Sequence, residues 1–330
     1  MQSRILITGS DGLVGKNLQC YINEYNKKNN VDDKNIQYFY HNRSRCDLKH
    51  KEKLKFFFEK HKYTHVIHLA SKVGGLYMNM KNNIQMLIDN IKINMNLLEL
   101  CNEFNVQRGI FCLSSCCYPK NPSKYPMTEE MLLESEAHET NEGYSYSKRL
   151  MYIMCKHYNK QYNRDYICLS PVNIYGMFDN FNLKSAHIIP SVIHKMYLTK
   201  NQIKPFDKDN YYVFGKGVAQ RQFLFATDFA CIVHTILWDY RIDKNNMLIN
   251  ICNDEEQTIK SVVELISNIF EFDTSNIVYD ANYSDGIIKK TVSNKLFRSF
   301  YKDYKFINLE DGIYCTIEWF KNNFGENIRI

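Results

Sequence analysis

The chain has 330 residues, enough for two average domains or for one large α/β unit with an appended lobe. Its net charge of +6 comes from dispersed lysines and arginines, so we expect no nucleic-acid footprint and prefer an anionic small molecule as ligand. Its eleven cysteines form no C-x-x-C motif, which predicts a reduced protein without a metal site. We recognise no signal peptide, and no apolar run approaches the roughly 20 residues that span a bilayer. We therefore expect a cytoplasmic protein that does not bind a membrane.

Short apolar runs alternate with longer amphipathic stretches through the first half of the chain. The runs predict strands at residues 4–8, 36–40, 65–71, 109–115 and 166–171, and the stretches predict helices at 13–25, 51–61, 83–104 and 145–162. A polar stretch at 26–35 is predicted to be a solvated loop. Strands that are apolar throughout and alternate with long helices are typical of a parallel sheet covered on both faces. We therefore predict an α/β fold with a Rossmann-type, doubly wound parallel sheet.

The pattern loosens after about residue 176, where helices are predicted at 186–199, 229–238 and 258–270 with short strands between them. We interpret residues 1–178 as a dinucleotide-binding domain and residues 179–330 as a smaller C-terminal α+β substrate lobe. The chain is expected to cross back to the first domain around residues 222–240. No Gly/Ser/Pro-rich linker separates the two parts, so we expect them to pack together.

A glycine-rich turn follows the first predicted strand directly and opens the first helix. Its residues form a G-x-x-G-x-x-G pattern: Gly9, Ser10, Asp11, Gly12, Leu13, Val14 and Gly15. In such a turn the first glycine permits a tight bend, the second lets the backbone approach a pyrophosphate, and the third allows close packing of helix on strand. The context favours a dinucleotide site, and the alternative is a turn that serves packing alone.

The end of the second predicted strand bears on which dinucleotide would bind. NAD enzymes place an acidic residue there for the ribose 2′-OH, whereas an arginine accommodates the 2′-phosphate of NADP. Here no acid holds the position, and Arg43 and Arg45 follow the strand. We therefore prefer NADP, with Arg43 as the better candidate and Asp47 beside the adenine. The alternative is a solvated basic loop.

Tyr144 and Lys148 lie four residues apart and share one face of a predicted helix. An ammonium near a phenol should lower the pKa of Tyr144 and suit it to exchange a proton with a hydroxyl or carbonyl. The spacing alone is a weak signal in a chain with 24 tyrosines. Ser114 and Ser115 strengthen it, because they lie at the C-terminal end of a predicted buried strand, the sheet edge where doubly wound folds bind ligands. Tyr146 is expected to face away from Lys148.

Several segments together resemble the extended short-chain dehydrogenase/reductase family: residues 9–15, 114–119 and 171–176, with the Tyr144/Lys148 pair. A narrower similarity, over residues 116–120, 126–130, 157–166, 179–181 and 185–190, is to the branch that acts on GDP-4-keto-6-deoxy-D-mannose. Members of that branch epimerise C3 and C5 and reduce C4 with NADPH, which yields GDP-L-fucose. The resemblance covers about residues 4–325 and thins beyond residue 190.

The resemblance implies roles for five catalytic residues. Cys116 and His187 would be the pair that removes and returns protons at C3 and C5. Tyr144 would protonate O4, Lys148 would tune Tyr144 and hold the nicotinamide ribose, and Ser114 would hydrogen-bond the C4 oxygen. From the residues alone, Cys116 could be a small buried side chain and His187 an ordinary surface or core histidine.

Ligand contacts and a dimer are implied in the same way. Further NADP contacts are expected from Leu69, Ala70, Lys148, Pro171, Asn173, Ile174 and His187. The GDP-sugar would meet Lys195, Phe214, Arg221 and Asp285, with Phe214 on the guanine and Arg221 on the diphosphate. The chain departs from the family pattern at Asp11, Phe214, Gln222 and Ser284, and Asp285 could instead belong to a solvated loop. A homodimer through a four-helix interface would use the helices at 83–104 and 145–162.

Two other functions remain open at this point. A nucleotide-sugar 4-epimerase or 4,6-dehydratase has the same fold and the same Tyr/Lys pair, but it does not need Cys116 and His187. A catalytically idle NADP-binding regulatory protein is the other alternative. The presence of Ser114, Tyr144 and Lys148 argues against a catalytically inactive protein.

Overall fold

The computed structural model describes residues 2–30, 35–203, 211–325 and 328–330. The strands in these ranges are β1 (Ser3–Thr8), β2 (Ile36–His41), β3 (His65–His68), β4 (Arg108–Cys112), β5 (Asp165–Pro171), β6 (Asn173–Tyr175), β7 (Tyr211–Phe214), β8 (Gln220–Arg221), β9 (Phe223–Phe225), β10 (Leu248–Ile251), β11 (Gln257–Thr258), β12 (Ile277–Asp280) and β13 (Lys289–Lys290). The α-helices are α1 (Leu13–Asn29), α2 (Lys51–His61), α3 (Leu76–Lys81), α4 (Asn83–Glu103), α5 (Glu142–Tyr162), α6 (Ile188–Lys200), α7 (Ala226–Trp238), α8 (Ile259–Phe270), α9 (Lys295–Phe300) and α10 (Leu309–Asn323). Short 3₁₀ helices lie at Ser115–Cys117, Glu129–Leu133, Glu139–Asn141, Lys244–Asn246 and Thr274–Asn276.

Six parallel strands form the central sheet in the order β10-β5-β4-β3-β1-β2. Helices pack on it in two groups, α1 with α7 and α4 with α2 and α5. Strand residues such as Ile5, Ile67 and Ile110 are therefore fully buried, as expected for a sheet that helices cover on both faces. The predicted α/β fold with a Rossmann-type, doubly wound parallel sheet is confirmed.

Two predicted strands end earlier than the sequence suggests. β3 ends at His68 instead of residue 71, and β4 ends at Cys112 instead of residue 115. After β4 the chain turns into a 3₁₀ helix, and the Ser114 side chain caps it by accepting a hydrogen bond from the Cys116 amide. The apolar runs continue past the paired residues because the turns are half-buried too, so hydrophobicity alone cannot mark the strand ends. At the other boundary, α1 runs to Asn29, so the loop predicted at 26–35 begins later than expected, and residues 31–34 lie outside the described residues.

The second half of the chain builds a smaller lobe and also returns to the central sheet. The lobe contains the sheet β11-β8-β13 and the strand pairs β12-β7 and β6-β9. Its core includes the buried face of α10, which the sequence analysis did not predict. β10 pairs with β5, and α7 packs against α1. The domain boundary at residue 178 stays a prediction.

All eleven cysteines are free thiols. Within the described ranges, no three His, Cys, Asp or Glu side chains come close enough together to hold a metal ion. None of the helices that the structure describes is both long and apolar enough to cross a membrane.

Candidate active site

A cavity of about 430 Å³ lies beside the loop that follows β4, and we call it the central cavity. Its walls come from this loop, β6, α6, β8 and β13. Eight of the residues predicted to bind or react line it: Cys116, Asn173, Ile174, His187, Lys195, Phe214, Arg221 and Asp285. The fold therefore brings the two predicted proton-transfer residues and the four predicted substrate residues to one place.

Cys116 lies in the 3₁₀ turn after β4, half-buried at the wall of the central cavity. The Ser114 Oγ accepts from its amide at 3.2 Å, and the Ser145 hydroxyl donates to its carbonyl at 2.6 Å. The Lys290 Nζ lies 3.5 Å from its Sγ. Burial by itself raises the pKa of Cys116, but the Lys290 cation, the Ser114 hydroxyl and Arg221 together outweigh burial and bring the pKa below its ordinary value.

The neighbouring thiol shows the opposite behaviour. Cys117 is fully buried, and burial with the nearby Cys116 raises its pKa to about 12. A fully buried thiol of this kind is a packing residue. Of the two adjacent cysteines, Cys116 is therefore the one whose surroundings favour the thiolate.

His187 occupies the N-cap position of α6 and its ring is open to the central cavity. The surrounding protein replaces part of its hydration, and this desolvation is the first cause that lowers the pKa of His187. The Lys290 charge is the second cause. Both causes favour the uncharged imidazole.

Tyr144 and Lys148 lie on the inner face of α5, and Lys148 is 1% exposed. The Lys148 ammonium donates to the Cys112 carbonyl at 2.7 Å and lies 5.8 Å from the centre of the Tyr144 ring. Burial, with a smaller contribution from the Cys116 and Cys112 thiols, raises the pKa of Tyr144 well above its usual value. The predicted lowering is wrong, because the cost of burying a phenolate exceeds what the Ser71 hydrogen bond offsets, and Lys148 is not among the leading causes. Tyr144 is a neutral phenol, which suits a proton donor.

Tyr146 lies on the opposite face of α5, as expected. Its ring is 37% exposed and lies 5.4 Å from the Arg149 guanidinium. It has no access to the central cavity and serves as a natural comparison for Tyr144.

The glycine turn after β1 has the geometry that a dinucleotide needs. Gly9 has φ +70°, and a Cβ there would lie 2.7 Å from the Ala70 amide, so the loop of Leu69 and Ala70 packs directly on it. A Cβ on Gly15 would clash with the Gly9 carbonyl. α1 begins behind Gly12 with no side-chain cap and no acidic residue in its first turn. The first amides of the helix are thus available to an anionic diphosphate, and the residues present fit that group.

The basic loop after β2 lies next to this turn. The Arg43 side chain is 83% exposed, and its Nε lies 3.6 Å from the Asp47 carboxylate. The Arg45 guanidinium lies 5.8 Å from the centre of the Phe57 ring. The Asp11 carboxylate accepts from the Asn42 side-chain amide at 2.5 Å, so this acid is held by a neutral donor. The choice of Arg43 over Arg45 as the contact for a 2′-phosphate stays a prediction.

An exposed aromatic group lies at the far end of the central cavity. The Phe214 ring stacks on Tyr283, with centres 3.9 Å apart and planes at 18°, and Tyr77 meets both edge-on. The Lys195 Nζ lies 4.7 Å from the centre of the Phe214 ring. Asp285 accepts from the amides of Lys216 and Gly217, so it holds the turn that carries Phe214. Sequence reasoning missed Tyr77 and Tyr283, because no motif marks them.

Lys290 is the most important residue that the sequence analysis missed. It is 7% exposed and lies opposite Arg221 in the parallel pairing of β13 with β8. Its strand has only two residues, so hydrophobic periodicity gives no signal for it. Gln222, a departure from the family pattern, is buried and bonds backbone groups of Asn253 and Val292, so its role is structural.

Comparison with known proteins gives a consistent result. The NAD dependent epimerase/dehydratase family matches residues 5–252. GDP-L-fucose synthase of Dictyostelium discoideum is 36% identical over 97% of this chain and 96% of its own length. Probable GDP-L-fucose synthase of Drosophila melanogaster is 35% identical over 98% of each chain. A crystal structure of a GDP-L-fucose synthetase from Naegleria fowleri bound to NADP superposes with a TM-score of 0.85 at 32% identity, and covers 99% of this chain and 95% of that one.

The family match spans more than half of the chain, and full-length relatives exceed 30% identity. The parallel sheet, the glycine turn and the Tyr144/Lys148 pair agree with it. The chain therefore belongs to the NAD dependent epimerase/dehydratase family.

Proposed function

We infer that the chain is an NADPH-dependent enzyme that converts GDP-4-keto-6-deoxy-D-mannose to GDP-L-fucose. The observation that carries this inference is that Cys116 and His187 line one cavity, while Ser145, next to Tyr144 on α5, donates a hydrogen bond to the Cys116 carbonyl. A simple reductase or 4-epimerase needs the tyrosine but not the other two. Full-length relatives named GDP-L-fucose synthase, and a related structure solved with NADP, support the assignment.

Epimerisation requires a base, an acid and an acceptor for negative charge. The Cys116 thiolate takes the proton from C3 or C5, and the carbon–hydrogen electron pair moves to the C4 oxygen as an enolate. The hydroxyls of Ser114 and Tyr144 donate hydrogen bonds to that oxygen. His187, when protonated, gives a proton to the opposite face of the same carbon, and the electron pair returns from oxygen.

Reduction uses the same C4 oxygen. When bound, NADPH supplies the hydride for C4. Tyr144 gives its phenolic proton to O4, and its neutral state in the structure fits this direction of transfer. Lys148 lies beside the ring and stabilises the phenolate that remains.

The nucleotide is expected to lie across the cations and aromatic rings of the lobe. Arg221 and Lys195 line the central cavity and suit the diphosphate, and the Phe214 ring offers a stacking surface for the base. Asp285 supports the Phe214 turn and also lines the cavity. Direct contacts of these residues with substrate remain proposals.

Arg43→Ala is expected to weaken NADPH binding by at least about tenfold and to leave NADH binding unchanged, because a hydrogen bond to a charged group contributes roughly 1.5–3 kcal/mol. Titration of each cofactor by fluorescence measures both constants. Arg45→Ala is the matched control and should have little effect, since that guanidinium lies over Phe57. An equal loss of NADH and NADPH binding would contradict a contact between Arg43 and the 2′-phosphate.

We also propose a homodimer through α4 and α5, in the cytoplasm. These helices pack on one another, and α4 leaves Ile84 66% and Ile88 40% exposed. Free cysteines throughout the chain and an NADPH-dependent reaction suit a reducing compartment.

Replacing both Ile84 and Ile88 with glutamate should convert the dimer into a monomer, because unpaired carboxylates are costly to bury in an interface. Light scattering of the purified protein gives the mass. Phe56→Glu, on the exposed surface of α2, is the control and should stay dimeric. A monomeric wild-type protein, or an unchanged mass in the double variant, contradicts the proposed interface.

The function itself is tested by mixing the protein with GDP-4-keto-6-deoxy-D-mannose and NADPH. We expect oxidation of NADPH and accumulation of GDP-L-fucose, identified by chromatography and NMR. No oxidation with this substrate, or a product that keeps the manno configuration at C3 and C5, contradicts the assignment.

A further inference from the structure

The side chain of Lys290 approaches Cys116 and has no acidic partner in the part of the chain that the structure describes. Its Nζ lies 3.5 Å from the Cys116 Sγ, and this sulfur is its one hydrogen-bond partner among the residues that the structure describes. Lys290 is 7% exposed, whereas its neighbour Lys289 is half-buried and forms an ion pair with Glu256 at 3.0 Å. Two adjacent lysines of one strand thus differ in the anion they face.

The polar and titratable groups that act on Cys116 come from four parts of the fold. Ser114 lies on its own loop, Tyr144 on α5, Arg221 on β8 and Lys290 on β13, and Cys117 is the next residue along the chain. Arg221 and Lys290 are neighbours in the β8–β13 pairing, so two cations act on the sulfur from one side. A buried ammonium is costly without an anion, and the thiolate is the anion within its reach.

His187 also lines the central cavity, and Lys290 favours its uncharged form, whereas it favours the charged form of Cys116. A nearby ammonium favours a thiolate and disfavours an imidazolium. The arrangement therefore differs from a thiolate–imidazolium pair, in which the histidine takes the thiol proton. In a lysine–thiolate pair the ammonium balances the negative sulfur, and the histidine holds no proton from the thiol.

We propose that Lys290 is a positioning residue, the fixed counter-ion that holds Cys116 as a thiolate before substrate arrives. The thiolate, not Lys290, takes the carbon-bound proton, and the electron pair of that bond moves to the C4 oxygen. The role of this thiolate in epimerisation rests on the proposed function, whereas its pairing with Lys290 does not.

The pairing is measured as the pH dependence of Cys116 alkylation by iodoacetamide, a neutral reagent, on the full-length protein with NADP added. Peptide mass spectrometry reports each cysteine separately, so the exposed Cys315 serves as internal reference. We expect the wild-type inflection at Cys116 to lie below the ordinary thiol value of about 8.5. Lys290→Met should raise the inflection by at least about one pH unit, equivalent to roughly tenfold less thiolate at neutral pH.

Three further variants separate this proposal from its rivals. Lys290→Arg keeps the charge and should keep the low inflection. Lys289→Met should leave the inflection at the wild-type value, because that lysine faces Glu256. His187→Gln should also leave it there. A rise in His187→Gln as large as that in Lys290→Met means that the histidine is the counter-ion and overturns the proposal.

A wild-type inflection at or above about 8.5 overturns the proposal without any variant, so the test stands even where Lys290→Met does not fold. Equal inflections in wild type and a folded Lys290→Met overturn it as well. Failure of the proposed function gives a different result, because wild-type protein would then oxidise no NADPH with the GDP-sugar while the thiol titration keeps its low inflection.

Discussion

Cys116→Ser is expected to slow exchange of the C3 and C5 protons with solvent by about 10²–10⁴-fold, the usual contribution of a positioned base. Serine keeps the size of the side chain and can accept a hydrogen bond from Lys290, but its hydroxyl does not ionise at neutral pH. NADPH binding should be unchanged, because the cofactor turn lies after β1 and Cys116 after β4. The measurement is the loss of carbon-bound hydrogen from the substrate in deuterated water, followed by NMR.

Cys117→Ala is the matched control for this variant. It removes the adjacent thiol, whose high pKa makes it a poor base, and it should exchange at nearly the wild-type rate. If Cys116→Ser exchanges as fast as wild type, another residue is the base and the chemistry assigned to this cavity is wrong.

Tyr144→Phe is expected to slow reduction at C4 by a similar factor, about 10²–10⁴, because it removes the proton donor and keeps the ring. Exchange at C3 and C5 should fall less, since Ser114 still donates to the enolate oxygen. The two rates therefore separate, with NADPH oxidation affected more than deuterium exchange. Stopped-flow measurement of NADPH oxidation, together with NMR of exchange, records both.

Tyr146→Phe controls for the loss of a hydroxyl from the same helix. Tyr146 is exposed and packs under Arg149, so the variant should reduce substrate at the wild-type rate. Equal loss in the two variants would point to damage in α5 and not to a missing proton donor. If Tyr144→Phe reduces the substrate at the wild-type rate, another group donates the proton to O4.

The parts of the fold that local patterns encode could be predicted from the sequence. Strands and helices differ in the spacing of their apolar residues, so both can be recognised in the sequence. The turn from Gly9 to Gly15 can be recognised because its glycines lie close together in the chain. Tyr144 and Lys148 share a helix face because of their spacing, and the structure places both side chains together.

The rest depends on contacts between residues far apart in the chain. Lys290 meets Cys116 across 174 positions and lies in a strand too short to show any period. Tyr283 stacks on Phe214 from a position that no motif marks, directly before Ser284 and Asp285. The direction of the Tyr144 pKa depends on how deeply the ring is buried, which spacing does not reveal.

Strand ends were the least predictable local feature. β4 stops at Cys112 although the apolar Leu113 follows it, because Ser114 caps a 3₁₀ turn there. That difference of three residues places Ser114 on a loop after β4 instead of in the strand, whereas Cys116 lies outside the strand in both cases.

The most direct test of the account is to run the full reaction in deuterated water with NADPH and to locate deuterium in the product by NMR. Proton transfer by Cys116 and His187, followed by reduction, predicts GDP-L-fucose with deuterium at C3 and C5 and protium from NADPH at C4. A product that carries protium at C3 and C5, or a reduced sugar without inversion at these carbons, contradicts the central claim that one site both epimerises and reduces.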